Sequence, residues 1–281
     1  MSWIFVRLLV LNSVTRNVEM SLTQMTVTPA RLRVHFLPQF VAEAEMAGST
    51  VVVVDLLRAS TTICQALASG AREIIPFVEV ELAAQAASDY GREEVLLGGE
   101  RGGARIEGFD LGNSPVEYTS EAVFNRTILF TTTNGTRALD HARKADQVVL
   151  GAMVNLSAVV AFLQQVSQVD ILCAGTRGQV TREDILAAGA IVHNLLALKG
   201  GRWELSEEAK QAQVAWGGVL NAARVASRSP SSQLAIELQE TPGGRNLIAI
   251  GQDDDLAECA QIDRFEIVPR FDPVASRIFV P

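Results

Sequence analysis

The sequence predicts an α/β fold in which a mainly parallel sheet is flanked by helices. An unbroken, largely β-branched run at residues 50–56 (TVVVVDL) is typical of a strand buried on both faces of a parallel sheet. After it, strand-like and helix-like segments alternate at the spacing of successive βα units. The chain has 281 residues, 48% of them hydrophobic, so it is long enough to bury a large core.

Short apolar segments predict the strands of this sheet, and most of them are followed by a helical pattern. Gly70 ends the first helix, because glycine is the usual residue just after a helix C-terminus. The strands are predicted at residues 32–37, 50–56, 73–78, 94–97, 126–131, 147–150 and 169–173. The helices are predicted at residues 61–69, 81–89, 136–144, 156–165 and 182–197.

The last third of the chain is less regular. Residues 204–233 have a helical pattern with a Ser/Pro break at 227–232, and residues 234–240 could continue it. From Asn246 onward the pattern weakens. Two strand-like segments remain in this tail, at residues 265–268 and 278–280.

We divide the chain into an N-terminal extension, residues 1–28, and one α/β domain, residues 29–281. Residues 2–11 resemble the apolar part of a signal peptide, but they contain an arginine and lack both a basic start and a cleavage site. The extension is therefore interpreted as a disordered segment or as a gene start placed too far upstream. The motif Lys199-Gly200-Gly201 leaves room for a subdivision of the domain near residue 200.

Charge and cysteine content exclude several classes of protein. A net charge of −8 and an isoelectric point near 5.0 argue against a nucleic-acid partner. The apolar segment at 2–11 is far too short to span a bilayer, and no membrane partner is expected. The cysteines are too dispersed for a disulfide framework or a zinc site, which favours a reducing, cytoplasmic environment. They are Cys64, Cys173 and Cys259.

Three polar clusters follow predicted strands, at the edge where parallel sheets bind ligands. In the first, Asp55 is costly to bury unless it binds a metal or pairs with a base, and Arg58 is its expected partner or an anion ligand. Ser60 and Thr61 open the next helix, whose free N–H groups suit a phosphate. The alternative, which stays open here, is an Asp55–Arg58 pair with a Ser/Thr helix cap.

The second cluster is again a strand, a polar turn and a helix start. Thr133 and Asn134 precede a flexible Gly135, and Thr136 opens the helix, so the segment could cradle a phosphate or a carboxylate. Arg137 could add charge-assisted hydrogen bonds. The alternative is an ordinary Asn-Gly turn with a capping threonine.

The third cluster lies between the strand at 169–173 and the helix at 182–197. Thr181 and Asp184 have the spacing of a capping box, with Asp in place of the usual Glu. Alternatively, Glu183 or Asp184 is a metal ligand. The remaining candidates for contact with a phosphate are Gly175, Thr176 and Arg177.

A long loop at residues 98–118 (GGERGGARIEGFDLGNSPVEY) contains six glycines and few core-forming residues. Such a loop inside a compact domain is usually functional or disordered, and its mixed composition favours function. Its carboxylates could bind Mg²⁺, which prefers a few carboxylates, waters and phosphate oxygens. Its candidate site residues are Glu100, Arg101, Asn113 and Ser114.

The sequence lacks the motifs of several well-known phosphatases. Leu57 stands two residues after Asp55, so there is no Asp-x-Asp nucleophile pair. Gln179 stands six residues after Cys173, so there is no Cys-x5-Arg loop. No Walker-type phosphate loop is present either.

Four motifs in a fixed order instead resemble another family of enzymes. DLLRASTT at 55–62, the glycine-rich loop at 98–118, TTNGTRA at 132–138 and CAGTRG with EDILAAGAI from Cys173 onward closely resemble the 2-phosphosulfolactate phosphatase family. The likeness runs from about residue 34 to residue 280. It implies the α/β fold of that family and Mg²⁺-dependent hydrolysis of 2-phospho-3-sulfolactate to 3-sulfolactate and phosphate, a step of coenzyme M biosynthesis.

The residue roles within the four motifs are our own assignments. The predicted metal ligands are Asp55, Glu100, Glu183 and Asp184. The predicted catalytic residues are Asp55, Arg58, Glu100 and Arg101. The predicted local cations for a small, anionic, phosphorylated substrate are Arg58, Arg101, Arg137 and Arg177. Hydrolysis could use a metal-activated water or a carboxylate nucleophile, and Asp55 suits either role.

Two other classes of function compete with the phosphatase. A non-catalytic protein that binds an anionic metabolite would need the arginines but not the clustered acids. A transferase or isomerase would act on a phosphorylated acid without releasing phosphate. A homodimer would be usual for a cytoplasmic metabolic enzyme.

Overall fold

A computed structural model describes residues 30–198 and 203–281. The predicted extension at 1–28 and the predicted boundary at Lys199-Gly200-Gly201 lie outside the described residues.

The described residues form one sheet of eleven strands, in the order β5-β4-β6-β3-β11-β10-β7-β2-β8-β1-β9. In chain order the strands are β1 (Ala30–His35), β2 (Thr50–Val54), β3 (Glu73–Pro76), β4 (Val95–Arg101), β5 (Ala104–Arg105), β6 (Thr127–Thr131), β7 (Gln147–Leu150), β8 (Gln168–Cys173), β9 (Trp203–Leu205), β10 (Arg270–Asp272) and β11 (Arg277–Phe279).

Ten α-helices accompany the sheet in the described parts of the chain. They are α1 (Ala59–Ala68), α2 (Val80–Ala86), α3 (Ser120–Val123), α4 (Gly135–His141), α5 (Leu156–Leu163), α6 (Arg182–Leu198), α7 (Glu207–Val225), α8 (Pro230–Gln239), α9 (Pro242–Ala249) and α10 (Asp254–Cys259). None of these helices combines the length and the apolar character needed to cross a membrane.

The sheet is mainly parallel, as predicted. β2 lies between β7 and β8, and both pairs are parallel. All five residues of β2 are buried, and alternate valines point to opposite faces of the sheet. Val52 and Val54 join a core formed with α5, α6 and α7, while Val51 and Val53 join a core formed with α1 and α4. An apolar run without polar alternation therefore suits a strand that is covered on both sides.

The antiparallel part of the sheet differs from the prediction. Residues 265–268, which look strand-like, form no strand, and the strand lies instead at β10, directly after Pro269. β10 and β11 form a hairpin that pairs with β7 on one side and β3 on the other. The short local pattern could not identify β10, because its position depends on pairing with strands more than 100 residues away.

The helical pattern predicted at 204–233 is wrong at its start. Residues 203–205 form β9, which pairs in parallel with β1 at the edge of the sheet. α7 and α8 follow, separated by residues 226–229. Two further helices, α9 and α10, lie in the tail that the sequence pattern left irregular.

The cysteines agree with the sequence prediction. Cys64, Cys173 and Cys259 are all free and buried. Burial raises the pKa of each thiol, so these side chains act as small apolar groups in the core.

Candidate functional site

A cleft of about 390 Å³ lies at the carboxyl ends of the parallel strands. Loops that follow β2, β4, β6 and β8 contribute to its walls, and α9 closes one side. The structure thus brings together residues from all three polar clusters and from the glycine-rich loop. The predicted site residues that line this cleft, hereafter the first cleft, are Asp55, Arg58, Glu100, Asn113, Thr133, Asn134, Thr176 and Arg177.

Two nearly buried carboxylates, Asp55 and Glu100, face the first cleft. Glu100 accepts hydrogen bonds from the N–H groups of Gly103 and Thr133, each at 2.7 Å, and so joins the glycine-rich loop to the loop after β6. Burial, followed by the charges of Asp184 and Glu100, raises the pKa of Asp55 well above its ordinary value. The cleft therefore holds an excess of buried negative charge.

Arg58 lies at the first cleft but does not pair with Asp55. Its guanidinium binds Oδ2 of Asp255 at 2.5 Å, the side chain of Gln252, and the carbonyl oxygen of Gly103 at 2.7 Å. Ser114, predicted to bind phosphate, donates instead to the other oxygen of Asp255 at 2.5 Å. The open alternative of an Asp55–Arg58 pair is thereby corrected: the partner of Arg58 is on α10, 197 residues away.

Ser60 and Thr61 are used inside the turn rather than on the cleft. The hydroxyl of Ser60 accepts the N–H of Asp55 at 2.8 Å, and that of Thr61 donates to the carbonyl oxygen of Leu56 at 3.1 Å. The N–H of Ser60 already binds the carbonyl oxygen of Asp55. Both side chains are buried. Neither residue lines the first cleft, and the phosphate contact predicted for them stays a prediction.

The second cluster divides between binding and packing. Thr133 and Asn134 line the first cleft, whereas Thr136 donates its hydroxyl to the carbonyl oxygen of Thr132 at 2.9 Å and is buried. Gly135 allows α4 to approach α1 closely. A Cβ at this position would lie 2.7 Å from Cβ of Ala59 and 2.8 Å from Oδ2 of Asp55. Gly135 therefore shapes the wall behind the Asp55 carboxylate.

Among the described residues, Thr181 and Asp184 do not make the two backbone hydrogen bonds of the predicted capping box. The carboxylate oxygens of Asp184 accept the N–H groups of Leu56 and Gly175, both at 2.9 Å, and the hydroxyl of Thr181 at 3.1 Å. Asp184 is buried, does not line the first cleft, and holds the loops after β2 and β8 together. The metal-ligand role predicted for Asp184 stays a prediction, and its side chain does not line the first cleft.

Glu183 and Arg101 also lie off the first cleft. Glu183 is buried beside Gly243, and its Oε2 has no hydrogen-bond partner among the described residues. Burial raises its pKa. Arg101 does not line the first cleft and donates to the carbonyl oxygen of Val78 at 2.8 Å and to Thr131 Oγ1 at 2.9 Å. It therefore ties the glycine-rich loop to the sheet, and the catalytic role predicted for it stays a prediction.

Two buried oxygen atoms at the first cleft lack partners within the described residues. They are Oδ1 of Asn113 and Oγ1 of Thr133. Because buried polar atoms are nearly always hydrogen-bonded, such atoms point to a ligand that completes their bonding. The neighbouring Gly102 and Gly103 also line the cleft.

The side-chain oxygens that line the first cleft would supply some, but not all, of the ligands of a hard divalent cation. Among the described residues, no three His, Cys, Asp or Glu side chains are grouped to hold a metal ion. The carboxylates of Asp55 and Glu100 and the unpartnered amide oxygen of Asn113 do line the first cleft. Mg²⁺ is usually bound by one or two carboxylates together with waters and substrate phosphate oxygens, so this donor set suits Mg²⁺ better than a cage made only of protein atoms.

Sequence reasoning missed several residues of the site. Pro242, Gly243 and Asn246 of α9 line the first cleft, and Asn246 donates to the carbonyl oxygen of Gly102 at 3.4 Å. A local signal for this helix existed, because Thr241 followed by Pro242 has the pattern of an N-cap and a first helical residue. No local signal could place Asp255 beside Arg58.

Comparisons with known proteins identify relatives along most of the chain. The sequence profile described as 2-phosphosulpholactate phosphatase matches residues 35–273. A protein of Symbiobacterium thermophilum named "Probable 2-phosphosulfolactate phosphatase" is 41% identical over 228 residues, which cover 81% of this chain and 93% of that protein.

Further relatives with the same printed name extend the likeness. The protein of Caldanaerobacter subterraneus subsp. tengcongensis is 38% identical over 229 residues, covering 81% of this chain and 90% of its own length. That of Thermotoga petrophila is 36% identical over 220 residues, covering 78% of this chain and 88% of its own length. The chain therefore belongs to the 2-phosphosulfolactate phosphatase family, a family of phosphoric monoester hydrolases.

Proposed function

We propose that this protein hydrolyses 2-phospho-3-sulfolactate, or a closely related phosphorylated hydroxy acid, to 3-sulfolactate and phosphate with the help of Mg²⁺. Family membership supports the reaction. The observation that carries the proposal is that the carboxylates of Asp55 and Glu100 meet the unpartnered oxygens of Asn113 and Thr133 in one cleft. Such a cleft offers acids to a cation and polar atoms to a phosphate.

Asp55 and Glu100 are the residues that would hold Mg²⁺, with Oδ1 of Asn113 as a neutral third donor. When bound, Mg²⁺ would offset the negative charge of the phosphate and polarise its oxygens. Glu183 and Asp184, predicted as ligands from the sequence, do not line the first cleft, so the proposed ligand set leaves them out.

In the proposed reaction, side chains of the protein accept the proton of the attacking water and orient the phosphate of the substrate. In the proposed reaction, the oxygen of a water bonds to phosphorus, and the bond from phosphorus to the C2 oxygen breaks. That oxygen leaves with the electron pair and receives the proton that Asp55 has taken from the water, so that it becomes the hydroxyl of 3-sulfolactate. Asp55 takes the proton of the attacking water. The hydroxyl of Thr133 orients the phosphate.

The proposal also covers the location of the protein in the cell, its pathway and its oligomeric state. Three free, buried cysteines support a reducing, cytoplasmic location. The place of the reaction in coenzyme M biosynthesis follows from the substrate and is proposed on that ground alone. The homodimer stays a prediction.

The direct test is phosphate release by the purified full chain. The substrates are 2-phosphosulfolactate, 2-phospholactate and 3-phosphoglycerate, each with Mg²⁺ and with EDTA. We expect release that is fastest on the sulfonated compound and lost in EDTA. Release that EDTA leaves unchanged would overturn the Mg²⁺ part. A folded protein that releases phosphate from none of them would overturn the phosphatase.

Thermal unfolding measures Mg²⁺ binding independently and needs no substrate. A ligand that binds only the folded state stabilises it by RT ln(1 + [L]/Kd). Mg²⁺ at millimolar concentration is therefore expected to raise the Tm of the wild type and to have a smaller effect on Glu100→Gln. An equal rise in both proteins would show that Glu100 is not a ligand.

A further inference from the structure

A second cleft, of about 590 Å³, adjoins the first one. Thr133, Asn134 and Arg177 line both clefts, so these residues form the boundary between them. The far wall of the second cleft carries Arg137 and His141 from α4. A molecule bound in the first cleft could therefore extend one charged group past Asn134 into the second.

The two clefts differ in the charge of their walls. Asp55 and Glu100 line the first cleft, and its Arg58 is already bound to Asp255. Arg137 and Arg177 line the second cleft, and no aspartate or glutamate lies among the described residues of its wall. A substrate with several anionic groups finds its strongest unopposed positive charge in this second cleft.

The cations of the second cleft are free to bind a ligand. Among the described residues, the guanidinium groups of Arg137 and Arg177 make neither an ion pair nor a hydrogen bond, and both residues are exposed. The backbone N–H of Arg177 donates to Oδ1 of Asn134 at 3.0 Å, which holds the Arg177 loop against the boundary. Nη2 of Arg177 lies 3.9 Å from where a Cβ on Gly102 would stand, so its guanidinium reaches over the first cleft.

We infer that the second cleft is the subsite for the sulfonate of the substrate, with Arg137 and Arg177 as its specificity-determining residues. This inference rests on the proposed function. In 2-phospho-3-sulfolactate the phosphate and the sulfonate are on neighbouring carbons. With the phosphate beside Thr133, which lines both clefts, a sulfonate on the neighbouring carbon is within reach of the second cleft and Arg137. Two guanidinium groups match the three oxygens of a sulfonate through charge-assisted hydrogen bonds.

The test compares two substrates in the wild type and in Arg137→Ala. 2-Phosphosulfolactate carries the sulfonate, and 2-phospholactate keeps the phosphate and the carboxylate but lacks it. We expect the ratio of kcat/KM between them to fall about 10- to 100-fold in the variant, the loss of one charge-assisted hydrogen bond, mainly through a higher KM for the sulfonated compound. Arg137→Lys should recover part of the ratio, because it keeps the charge.

The control is Arg224→Ala, which removes an exposed arginine of α7 that lines neither cleft. It should leave the ratio as in the wild type. An unchanged ratio in both Arg137→Ala and Arg177→Ala, or an equal loss on both substrates, would overturn the sulfonate subsite.

Calorimetry with 3-sulfolactate separates this inference from the proposed function, because the compound has no phosphate to release. We expect the wild type to bind it at least 10-fold more tightly than Arg137→Ala does. Binding without phosphatase activity in the wild type would overturn the reaction and keep the subsite. Activity with equal binding by both proteins would keep the reaction and overturn the subsite.

Discussion

At the scale of single residues, Asp55 is the group on which the proposed chemistry depends most. It stands at the end of a strand that is buried on both faces, and Asp184 and Glu100 add to its negative surroundings. Nearby Arg58 does not neutralise it, because Asp255 holds that guanidinium. A carboxylate in such a place costs stability and is retained for function rather than for packing.

Asp55→Asn is expected to lower turnover about 100-fold or more, the usual loss when a group that moves a proton is removed. The variant should fold, since an amide of equal size removes repulsion among the acids. Phosphate release measures the first effect and the Tm the second. Near-normal turnover would remove Asp55 from both the metal and the base role.

The same substitution has an expected pH dependence in metal-free buffer. The pKa of Asp55 is raised in the folded state, so its contribution to stability is full below the unfolded pKa and is lost as pH rises through the folded one. The stability of the wild type relative to Asp55→Asn should therefore fall as pH rises above about 4. Urea unfolding at pH 4, 6 and 8 measures this, and a constant difference would contradict it.

Asp170 lies away from the first cleft, and its pKa is lowered, whereas that of Asp55 is raised. It is fully buried on β8 opposite Arg33 of β1, whose Nε donates to it at 2.6 Å, and it also binds Nε2 of His35 at 2.8 Å. Burial acts to raise its pKa, but the hydrogen bonds from His35 and Arg33 lower the pKa to well below its ordinary value. The cluster joins the two strands through charge.

Asp170→Asn is expected to destabilise the protein by about 2–3 kcal/mol at pH 7, because it leaves Arg33 without its partner. A lowered pKa gives stability that is present above the unfolded pKa of about 4 and is lost as pH falls below it. The difference between wild type and variant should therefore shrink toward pH 3. Denaturant unfolding at both pH values checks this, and a difference that grows toward acid would contradict the assignment.

At the scale of elements, the packing of α6 on α7 depends on one glycine. A Cβ on Gly189 would overlap the carbonyl oxygen of Ala212 and lie 3.0 Å from Cβ of Trp216. Since Trp216 is almost fully buried between the helices, the backbone of α7 has little room to move. α6 also carries Asp184, so its position affects the loops that form the first cleft.

Gly189→Ala is expected to destabilise the protein by about 3 kcal/mol or more through overpacking. The matched control is Gly218→Ala on the exposed side of α7, where a Cβ meets no atom within 4 Å. That change should stabilise the protein by about 0.5–1 kcal/mol, because alanine favours the helix over glycine. Denaturant unfolding compares the two, and similar effects of both would show that the helices separate easily.

At the scale of the whole molecule, the C-terminal hairpin completes the sheet. Without β10 and β11, the sheet would divide into β5-β4-β6-β3 and β7-β2-β8-β1-β9, with two new open edges. Phe271 and Ile278 are buried in the core that also contains α1 and α4. The last residues of the chain thus hold together two groups of strands that both contribute loops to the first cleft.

A chain that ends at Pro269 is expected not to fold cooperatively, since it loses this hairpin. The matched control lacks only Val280 and Pro281, which follow β11. Soluble yield and the thermal transition in circular dichroism measure both truncations. A cooperative transition in the shorter chain would show that the hairpin is accessory.

The amino-acid sequence by itself determined the α/β class, the parallel strands and the loops that carry the site. β2, β8 and α6 could be identified because apolar periodicity and helix boundaries are local properties of the chain. Polar residues after buried strands indicated the edge where the first cleft lies, since parallel strands share one carboxyl edge. Thr133, Asn134 and Arg177 belong to this part of the prediction.

Only the tertiary structure decided which of these polar residues face the cleft. Asp184 became a loop-holding acceptor, Arg101 a tie to the sheet, and Arg58 a partner of Asp255. The insertion of the hairpin between β3 and β7 was likewise set by distant pairing. The physical reason is the same in each case. A buried polar group bonds to the donor or acceptor that folding places beside it. Because these partners are far apart in the chain, a local sequence pattern does not identify them.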